Sequence, residues 1–324
     1  MTVNDSRKTI AVVIPFLNEE DNIPEMYKRL DALFAKMPEQ GKFLFVDDGS
    51  SDGSVRWLLA KMAEDPRVKL VPLSRNYGHQ IAITAGMDVS DADATVIIDC
   101  DLQDPPEVIA DLAARWREGY DVVYAVRDSR EGETWSKKFL AASFYKIFQK
   151  LVKVPIPANT GDFRLVDRKV IEALREVREL HRFMRGLTCW VGYRQCAVHY
   201  RRAARHAGST KYPVWKSARL AFDAITSFSG APLRWITGGG LFVSVIGSLM
   251  VVNIIWNRIF NPESMVPGWA TVASLILIIG GLQLICLGLI GQYISRIFEE
   301  SKKRPLYYLK DLEAVRREYG ASTR

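Results

Sequence analysis

Two long uncharged runs in the last third of the chain constrain its fold most, because each can cross a membrane. They cover residues 235–256 and 269–295, about 22 and 27 residues, and roughly 20 apolar residues suffice for a span. Basic residues precede the first run and follow the second, whereas the connection at 257–268 carries one Arg and one Glu. The positive-inside rule predicts a two-helix hairpin in the inner membrane with both termini cytoplasmic.

The basic residues lie mostly beside these runs. Lys and Arg number 44 against 37 Asp and Glu, an excess that suits an anionic partner. Residues 135–153 have an aromatic and aliphatic helix face opposite five lysines, the pattern of a helix in the headgroup plane; residues 213–230 repeat it more weakly. An ordinary helix packed on the domain is the alternative for 135–153. The distribution favours lipid over nucleic acid as the partner.

The first half of the chain alternates short apolar runs with amphipathic stretches. The runs predict strands at residues 10–14, 43–46, 69–73, 95–98 and 122–126. The stretches predict helices at residues 23–37, 54–63, 80–89 and 106–119. This alternation predicts an α/β fold with a mainly parallel, Rossmann-like sheet, in which ligands bind at the carboxyl ends of strands.

The domain organisation follows from these patterns. We expect a cytoplasmic catalytic domain at 1–230, two membrane helices within 231–298 and a cytoplasmic basic tail at 299–324. Residues 1–8 are polar and show no signal peptide. The four cysteines form no C-x-x-C pair, so neither a zinc site nor a disulfide framework is indicated. Gly240, Ser244 and Ser248 form a small-residue stripe that would allow helix packing or a homo-oligomer.

Acidic residues directly follow the predicted strand at 95–98. The string at 99–106 reads DCDLQDPP, with Asp99 and Asp101 two positions apart on an extended chain end, so that they project in similar directions. With the carbonyl oxygen of Gln103 they supply the hard oxygen ligands that Mg²⁺ or Mn²⁺ prefers. An ion held there would neutralise a leaving diphosphate. An exposed acidic turn is the alternative, and the strand-end position favours the metal site.

A second acidic turn ends another predicted strand. Residues 45–54 read FVDDGSSDGS, and capping by Asp52 or Ser54 explains most of them. Capping does not explain the pair Asp47 and Asp48, where a carboxylate could accept the imide N–H of uracil. The first strand runs into VIPFLNEE at 13–20, a loop suited to a nucleobase and ribose. The two segments predict a nucleotide site.

Five segments resemble the inverting glycosyltransferases of family two, which have the GT-A fold. They are residues 15–20, 46–54, 75–78, 99–106 and 161–165, in the family's order and spacing. With its C-terminal runs, nearly the whole chain is similar to bacterial polyprenyl-phosphate glycosyltransferases and, more distantly, to dolichol-phosphate mannose synthase. The resemblance implies inverting transfer of a hexose, glucose first, from a UDP-sugar to undecaprenyl phosphate at the cytoplasmic membrane face.

The resemblance also implies roles for single residues. The catalytic residues would be Asp99, Asp101, Asp162 and Arg127. The ligands of Mg²⁺ or Mn²⁺ would be Asp101 and Gln103, with Asp99 beside them. The nucleotide would contact Pro15, Leu17, Glu19, Val46, Asp48, Arg205 and Lys211. The acceptor phosphate would contact Arg127, Lys137, Lys138, Ser143 and Arg164. Leu17 departs from the family's frequent Tyr, which removes a ring contact with the base.

The chemistry independently calls for cations, because a diphosphate leaving group and a phosphate nucleophile repel each other. Arg suits bidentate phosphate contact and Lys a point charge. A lipid phosphate is already ionised near pH 7, since its second pKa is about 6, so no strong base is required. Asp162 would then either transfer a proton or orient groups, with Arg164 as its most obvious partner.

Two other functions compete with lipid-phosphate glycosyl transfer. A processive polysaccharide synthase would carry a Gln-x-x-Arg-Trp motif and more spans, and this chain lacks the motif. A membrane scaffold that keeps a nucleotide fold would not need Asp99, Asp101 and Gln103. The sugar could also be N-acetylglucosamine, galactose or a modified pentose.

Overall fold

The computed structural model describes residues 7–128, 157, 160–201, 231–260 and 268–320. The helices predicted at 135–153 and 213–230 lie outside these residues. The same holds for five of the predicted site residues, which are Lys137, Lys138, Ser143, Arg205 and Lys211. By its internal contacts the chain divides into two compact units, one built on a β-sheet and one on two long helices.

The first unit contains a seven-stranded sheet flanked by helices. Its strands are β1 (Thr9–Phe16), β2 (Gln40–Asp47), β3 (Val68–Pro72), β4 (Ala94–Ile97), β5 (Val122–Arg127), β6 (Thr160–Asp167) and β7 (Gln195–Tyr200). The helices of this unit are α1 (Ile23–Phe34), α2 (Ser54–Glu64), α3 (His79–Val89), α4 (Ile109–Arg117), α5 (Arg168–Glu176) and α6 (Met184–Trp190), with a 3₁₀ turn at Pro106–Val108 before α4. All five predicted strands and four predicted helices are present.

The strand order is β3-β2-β1-β4-β6-β5-β7, and β6 runs antiparallel to both of its neighbours. All the other pairs are parallel. The predicted mainly parallel α/β class is therefore confirmed, whereas β6 and β7 had not been predicted as strands. Because β6 is reversed, its amino end lies at the edge where β4 and β5 end.

Alternating side chains of β1 fill both faces of the sheet. Ile10, Val12 and Ile14 face a core built with α1, α2 and α4, while Ala11 and Val13 face the opposite core with α3. All five side chains are fully buried. A strand that is apolar on both faces belongs in the middle of a sheet covered by helices, as the uninterrupted apolar run predicted.

Close packing of α3 on the sheet depends on Gly86. A Cβ at this position would come within 2.3 Å of Val13 and 3.0 Å of Val46. The helix therefore approaches β1 and β2 more closely than an alanine would allow. This approach brings the amino end of α3, with His79 and Gln80, to the carboxyl edge of the strands.

The predicted basic tail contributes to the first unit. Leu309 forms an antiparallel bridge with Leu73, and Tyr307 donates a hydrogen bond to Asp88 at 2.9 Å. The helix α9 (Leu312–Gly320) then buries Val315 in the core beside α2. The chain thus returns from the second unit to complete the edge of the sheet.

The second unit contains α7 (Ala231–Phe260) and α8 (Trp269–Ser301), which include the two predicted spans. Within α8, Ile278–Ser301 is long and apolar enough to cross a membrane. In α7 the stretch Ile236–Met250 is apolar but shorter than that criterion requires. Apolar side chains on both helices are widely exposed, for example Leu284 at 71% and Phe242 at 66%.

Candidate active site

Predicted acidic and basic side chains meet at one edge of the sheet. Asp99 and Asp101 follow β4, and Arg127 ends β5. Ile97 pairs with Arg164 and Val126 pairs with Thr160, so the start of β6 lies beside both strand ends. Asp162 therefore enters the same edge from a strand of opposite direction. The resulting cluster is a candidate active site.

Asp99 is the least compensated carboxylate of this cluster. Its Oδ1 is buried and accepts no hydrogen bond within the described part of the chain, although His79 Nε2 lies 3.3 Å away. Burial raises the pKa of Asp99 to about 6, and the charges of Asp162, Asp104 and Asp101 add to the rise while His79 opposes it. A position of this kind favours a bound cation.

Asp101 and Gln103 belong to a tight turn after β4. The backbone N–H of Gln103 donates to Asp101 Oδ1 at 3.1 Å, and Leu102 between them has φ of 57°. A non-glycine residue in the left-handed region is strained, and such strain is common at functional sites. Gln103 is buried, and its Nε2 has no hydrogen-bond partner among the described residues.

Asp162 is compensated on all sides. Arg185 donates from Nε to Oδ1 at 3.0 Å and from Nη2 to Oδ2 at 3.3 Å, while Gln80 Nε2 donates to Oδ2 at 3.1 Å. His79 Nε2 lies 3.5 Å from the same oxygen. Burial alone would raise the pKa of Asp162, but these hydrogen bonds and cations hold it well below its usual range. The carboxylate is an anion that orients its neighbours.

His79 connects the two carboxylates. It begins α3, and its Nε2 lies between Asp99 and Asp162. Burial lowers the pKa of His79, but the hydrogen bond with Asp162 and the two negative charges outweigh burial and raise it. His79 has no role predicted from the sequence, and the geometry places it inside the candidate site.

Arg127 is held by two buried side chains. Its Nη2 donates to Asp104 Oδ2 at 3.1 Å, and its Nε donates to Tyr200 Oη at 3.1 Å. Tyr200 in turn donates to Asp104 Oδ1 at 2.5 Å. Burial and the contact with Asp104 raise the pKa of Tyr200 above its ordinary value, so its hydroxyl is a donor.

The two predicted nucleotide loops are tied together by hydrogen bonds between main chain and side chain. The Ser51 N–H donates to Asn18 Oδ1 at 2.8 Å, and the Glu19 N–H donates to Ser54 Oγ at 3.1 Å. The Gly53 N–H donates to Glu20 Oε2 at 2.7 Å. The segments after β1 and β2 thus form one surface.

The predicted nucleotide residues occupy different positions on this surface. Leu17 is exposed at 41%, whereas Pro15 and Val46 are buried, so neither of the latter two presents an exposed side chain to a ligand. Asp48 accepts N–H groups of Tyr77 at 2.7 Å and Gly78 at 3.0 Å. Burial raises the pKa of Asp48 despite these bonds. A carboxylate has about four lone-pair sites, so a further donor still fits.

Arg164 is buried and engaged inside the protein. Its guanidinium donates to the Gly161 carbonyl at 2.9 Å and to the hydroxyl of Thr188, and its exposed fraction is 3%. Arg164 contacts Asp162 through the main-chain carbonyl, at 3.3 Å from Nε, whereas the carboxylate of Asp162 accepts its arginine hydrogen bonds from Arg185. We therefore do not carry Arg164 into the acceptor site.

Sequence reasoning missed His79, Gln80, Asp104, Arg185 and Tyr200. A signal existed for the first two, since both follow the motif at 75–78 at the end of β3. Asp104 lay inside the acidic string without a role. Arg185 and Tyr200 gave no local signal, because their partners are 23 and 96 residues away in the chain.

Comparison with known proteins places this geometry in context. The model for "Glycosyl transferase family 2" matches residues 11–175. The protein named "Uncharacterized glycosyltransferase YkcC" of Bacillus subtilis is 46% identical over 300 residues, 93% of each chain. A bactoprenol glucosyl transferase of Shigella phage SfV is 40% identical over 307 residues, 93% of this chain and 98% of that one.

Similarity to solved structures is more distant. Glucosyl-3-phosphoglycerate synthase from Mycobacterium tuberculosis, in complex with UDP, is 20% identical with a TM-score of 0.44. The match covers 68% of this chain and 79% of that chain.

Proposed function

The chain belongs to glycosyl transferase family 2, and we propose that it transfers a hexose from a UDP-sugar to polyprenyl phosphate. Undecaprenyl phosphate is the expected acceptor and glucose the first expected sugar. Relatives named for glucosyl transfer to bactoprenol support the acceptor and the sugar. The observation that carries the proposal is the weakly compensated carboxylate of Asp99, which follows β4 at the strand edge where β5 ends in Arg127, in a chain of this family.

The acceptor needs no strong base. A phosphate monoester is ionised near pH 7 because its second pKa is about 6. Asp162 is an anion with both oxygens engaged by Arg185 and Gln80, which suits positioning rather than proton abstraction. Displacement at the anomeric carbon then depends on alignment and on electrostatic stabilisation, and a single displacement inverts the configuration.

Asp101, Asp99 and Gln103 would hold Mg²⁺ or Mn²⁺. The fit rests on the unpartnered Oδ1 of Asp99 and on hard oxygen ligands concentrated after β4. The described residues contain no group of three acidic, His or Cys side chains able to hold a metal. Mg²⁺ is usually bound by one or two carboxylates together with substrate phosphates, and the proposed ion would be held in this way. When bound, such an ion supplies charge neutralisation for the leaving diphosphate.

Arg127 is the described cation best suited to the acceptor phosphate. It ends β5 at the same edge as Asp162, and its guanidinium lies against Gly161. Guanidinium groups recognise phosphate with paired donors. Lys137, Lys138 and Ser143 are proposed as further acceptor contacts, and Arg205 and Lys211 as contacts of the nucleotide.

We propose that the reaction occurs at the cytoplasmic face of the inner membrane. One helix segment, Ile278–Ser301, supports membrane association by its length and composition. The two-span hairpin, its positive-inside orientation and the headgroup helix at 135–153 are sequence-based proposals that complete this arrangement.

Two alternative functions are less well supported. A processive synthase would need the Gln-x-x-Arg-Trp motif that the sequence lacks. A non-enzymatic scaffold would have no use for a carboxylate with a buried and unpartnered oxygen, since burial of a polar atom without a hydrogen bond is costly.

Product formation by the purified full chain tests the proposal. The chain in detergent is incubated with undecaprenyl phosphate and UDP-glucose, UDP-N-acetylglucosamine or UDP-galactose in turn, with Mn²⁺ or Mg²⁺. We expect a mass-spectrometric signal for one hexose on the lipid phosphate, and we expect EDTA to remove it. Glucose and undecanol serve as acceptor controls that lack a phosphate.

Two outcomes would contradict the proposal. Long glycan chains would favour the processive synthase. Binding of UDP-sugar without transfer to the lipid phosphate would favour the scaffold.

A further inference from the structure

Asp104, Tyr200 and Arg127 form a closed ring of three hydrogen bonds. Each member contacts the other two, at 3.1 Å from Arg127 to Asp104, 3.1 Å from Arg127 to Tyr200 and 2.5 Å from Tyr200 to Asp104. Asp104 is 1% exposed and Tyr200 is 6% exposed. The ring is therefore a built feature of the interior that ends in a partly exposed guanidinium.

Three elements converge to make this ring. Asp104 follows the acidic turn after β4, Arg127 ends β5, and Tyr200 ends β7. Arg127 and Tyr200 are paired in the parallel register of β5 and β7, so their side chains leave the sheet on the same face. The sheet itself thus sets where the guanidinium lies.

The guanidinium of Arg127 also packs against Gly161 of β6. A Cβ at this position would come within 2.7 Å of Arg127 Nη2 and 3.3 Å of its Cζ. Any larger residue would push the guanidinium away from β6. The glycine immediately precedes Asp162, so the guanidinium is kept close to the centre of the site.

The ring leaves part of the guanidinium available. Nε and Nη2 are committed to Tyr200 and Asp104, whereas Nη1 donates no hydrogen bond to any residue that the structure describes. An arginine side chain loses rotamer freedom when it is ordered, which costs free energy. A ring that orders it before the ligand arrives removes this cost from binding.

We propose that Asp104 and Tyr200 are positioning residues that hold Arg127 in place for the acceptor phosphate. The inference rests on the proposed function and adds two residues to which the family resemblance gave no role. Asp104 also directly follows Gln103, so the same turn serves the metal ligands and the acceptor cation. Neither positioning residue touches the reacting atoms.

Steady-state kinetics of Tyr200→Phe test this inference. UDP-glucose and undecaprenyl phosphate are varied separately with the full chain in detergent, and Tyr193→Phe is the matched control because it removes a hydroxyl outside the ring. We expect the apparent KM for undecaprenyl phosphate to rise about three- to tenfold, the effect of losing one hydrogen bond of ordinary net strength. The affinity for UDP, measured by calorimetry without acceptor, should stay within about twofold of wild type, as should both readouts in Tyr193→Phe.

A double-mutant cycle distinguishes positioning from general stability. If Tyr200 acts through Arg127, then Tyr200→Phe should change acceptor KM less than about twofold in an Arg127→Ala background. The inference would be overturned if the two substitutions raised the acceptor KM by independent factors that multiply in the double variant. It would also be overturned if Tyr200→Phe weakened UDP binding as much as it raised the acceptor KM. Gly161→Ala displaces the same guanidinium from the β6 side and should reproduce the rise in acceptor KM if Tyr200→Phe folds poorly.

The inference and the proposed function fail in different ways. Wild-type chain that makes no lipid-linked hexose with any donor contradicts the proposed function. Native mass spectrometry of undecaprenyl phosphate binding then still compares wild type, Tyr200→Phe and Tyr193→Phe without turnover. Active wild type with an unchanged acceptor KM in Tyr200→Phe contradicts the inference alone.

Discussion

The two halves of the sheet hold their carboxylates in different ways. In the parallel half, β3-β2-β1-β4, the strand-end acids Asp48 and Asp99 face main-chain N–H groups and the imidazole of His79. Asp48 accepts from Tyr77 and Gly78, and Asp99 Oδ1 has no hydrogen bond among the described residues. These acids keep unused acceptor capacity.

Beside the other half, β6-β5-β7, two carboxylates of the site have arginine partners. Asp162 accepts two bonds from Arg185, and Asp104 is bonded by Arg127 although it follows β4. These two carboxylates are already hydrogen-bonded to arginines, whose positions they fix. Under the proposed function, the parallel half would receive the metal and the donor, and the second half would present oriented cations to the acceptor.

Removal of one acid from the parallel half should have the largest effect. Asp101→Asn keeps the size of the side chain but removes an anionic ligand, so we expect kcat to fall about 10²–10³-fold. The rate of hexose transfer to undecaprenyl phosphate at saturating Mn²⁺ measures this loss. Asp111→Asn on the exposed face of α4 is the matched acid-to-amide control and should retain wild-type rates.

An unchanged rate in Asp101→Asn would mean that the acidic turn holds no metal. The division between a donor half and an acceptor half would then lose its main support. A lower rate in Asp101→Asn that excess Mn²⁺ partly restores would support the division, because weaker metal binding is the expected cause of the lower rate.

The same division explains what the sequence could and could not predict. Asp99, Asp101 and Asp48 were found because each directly follows an apolar strand, and parallel strands bring their carboxyl ends together. The partners in the second half come from distant segments, such as Arg185 on α6 and Tyr200 at the end of β7. Because β6 is antiparallel to its neighbours, Asp162 lies at the edge where β4 and β5 end. No local sequence pattern predicts that a strand runs antiparallel.

Stability should respond to the two kinds of acid with opposite signs. In metal-free protein at pH 7, Asp162→Asn leaves Arg185 and His79 without their anion and should cost about 2–3 kcal/mol. Asp99 is ionised at pH 7 although burial raises its pKa to about 6, so its charge opposes folding. Asp99→Asn should therefore stabilise the fold by about 1–2 kcal/mol.

Thermal unfolding in detergent with EDTA measures whether each substitution raises or lowers the stability of the fold. We expect the Tm of Asp162→Asn to lie below that of wild type and the Tm of Asp99→Asn to lie above it. A fall in Tm for both variants would contradict the division into uncompensated and compensated acids. A higher Tm combined with lost transfer activity in Asp99→Asn would show that the site trades stability for function.

Asp65 allows charge compensation to be tested apart from position in the sheet. Its substitution has the smallest expected effect on stability. It lies in the parallel half, before β3, yet Arg67 donates to it from Nε at 3.0 Å and from Nη2 at 2.8 Å. Burial raises the pKa of Asp65, but these bonds and the charge of Arg67 outweigh it and lower the pKa to about 2. If compensation decides the behaviour, Asp65 should resemble Asp162 rather than Asp99.

The lowered pKa of Asp65 determines whether its charge stabilises or destabilises the fold at each pH. A carboxyl whose pKa falls from 3.8 to about 2 on folding stabilises the fold above pH 3.8 and loses this contribution as the pH falls toward 2. Asp65→Asn should therefore be about 0.5–1 kcal/mol less stable than wild type at pH 7, a modest value because solvent screens the pair. The difference in Tm between wild type and Asp65→Asn should shrink from pH 4 toward pH 2.5. A constant difference would mean that hydrogen-bond geometry, rather than charge compensation, stabilises this acid.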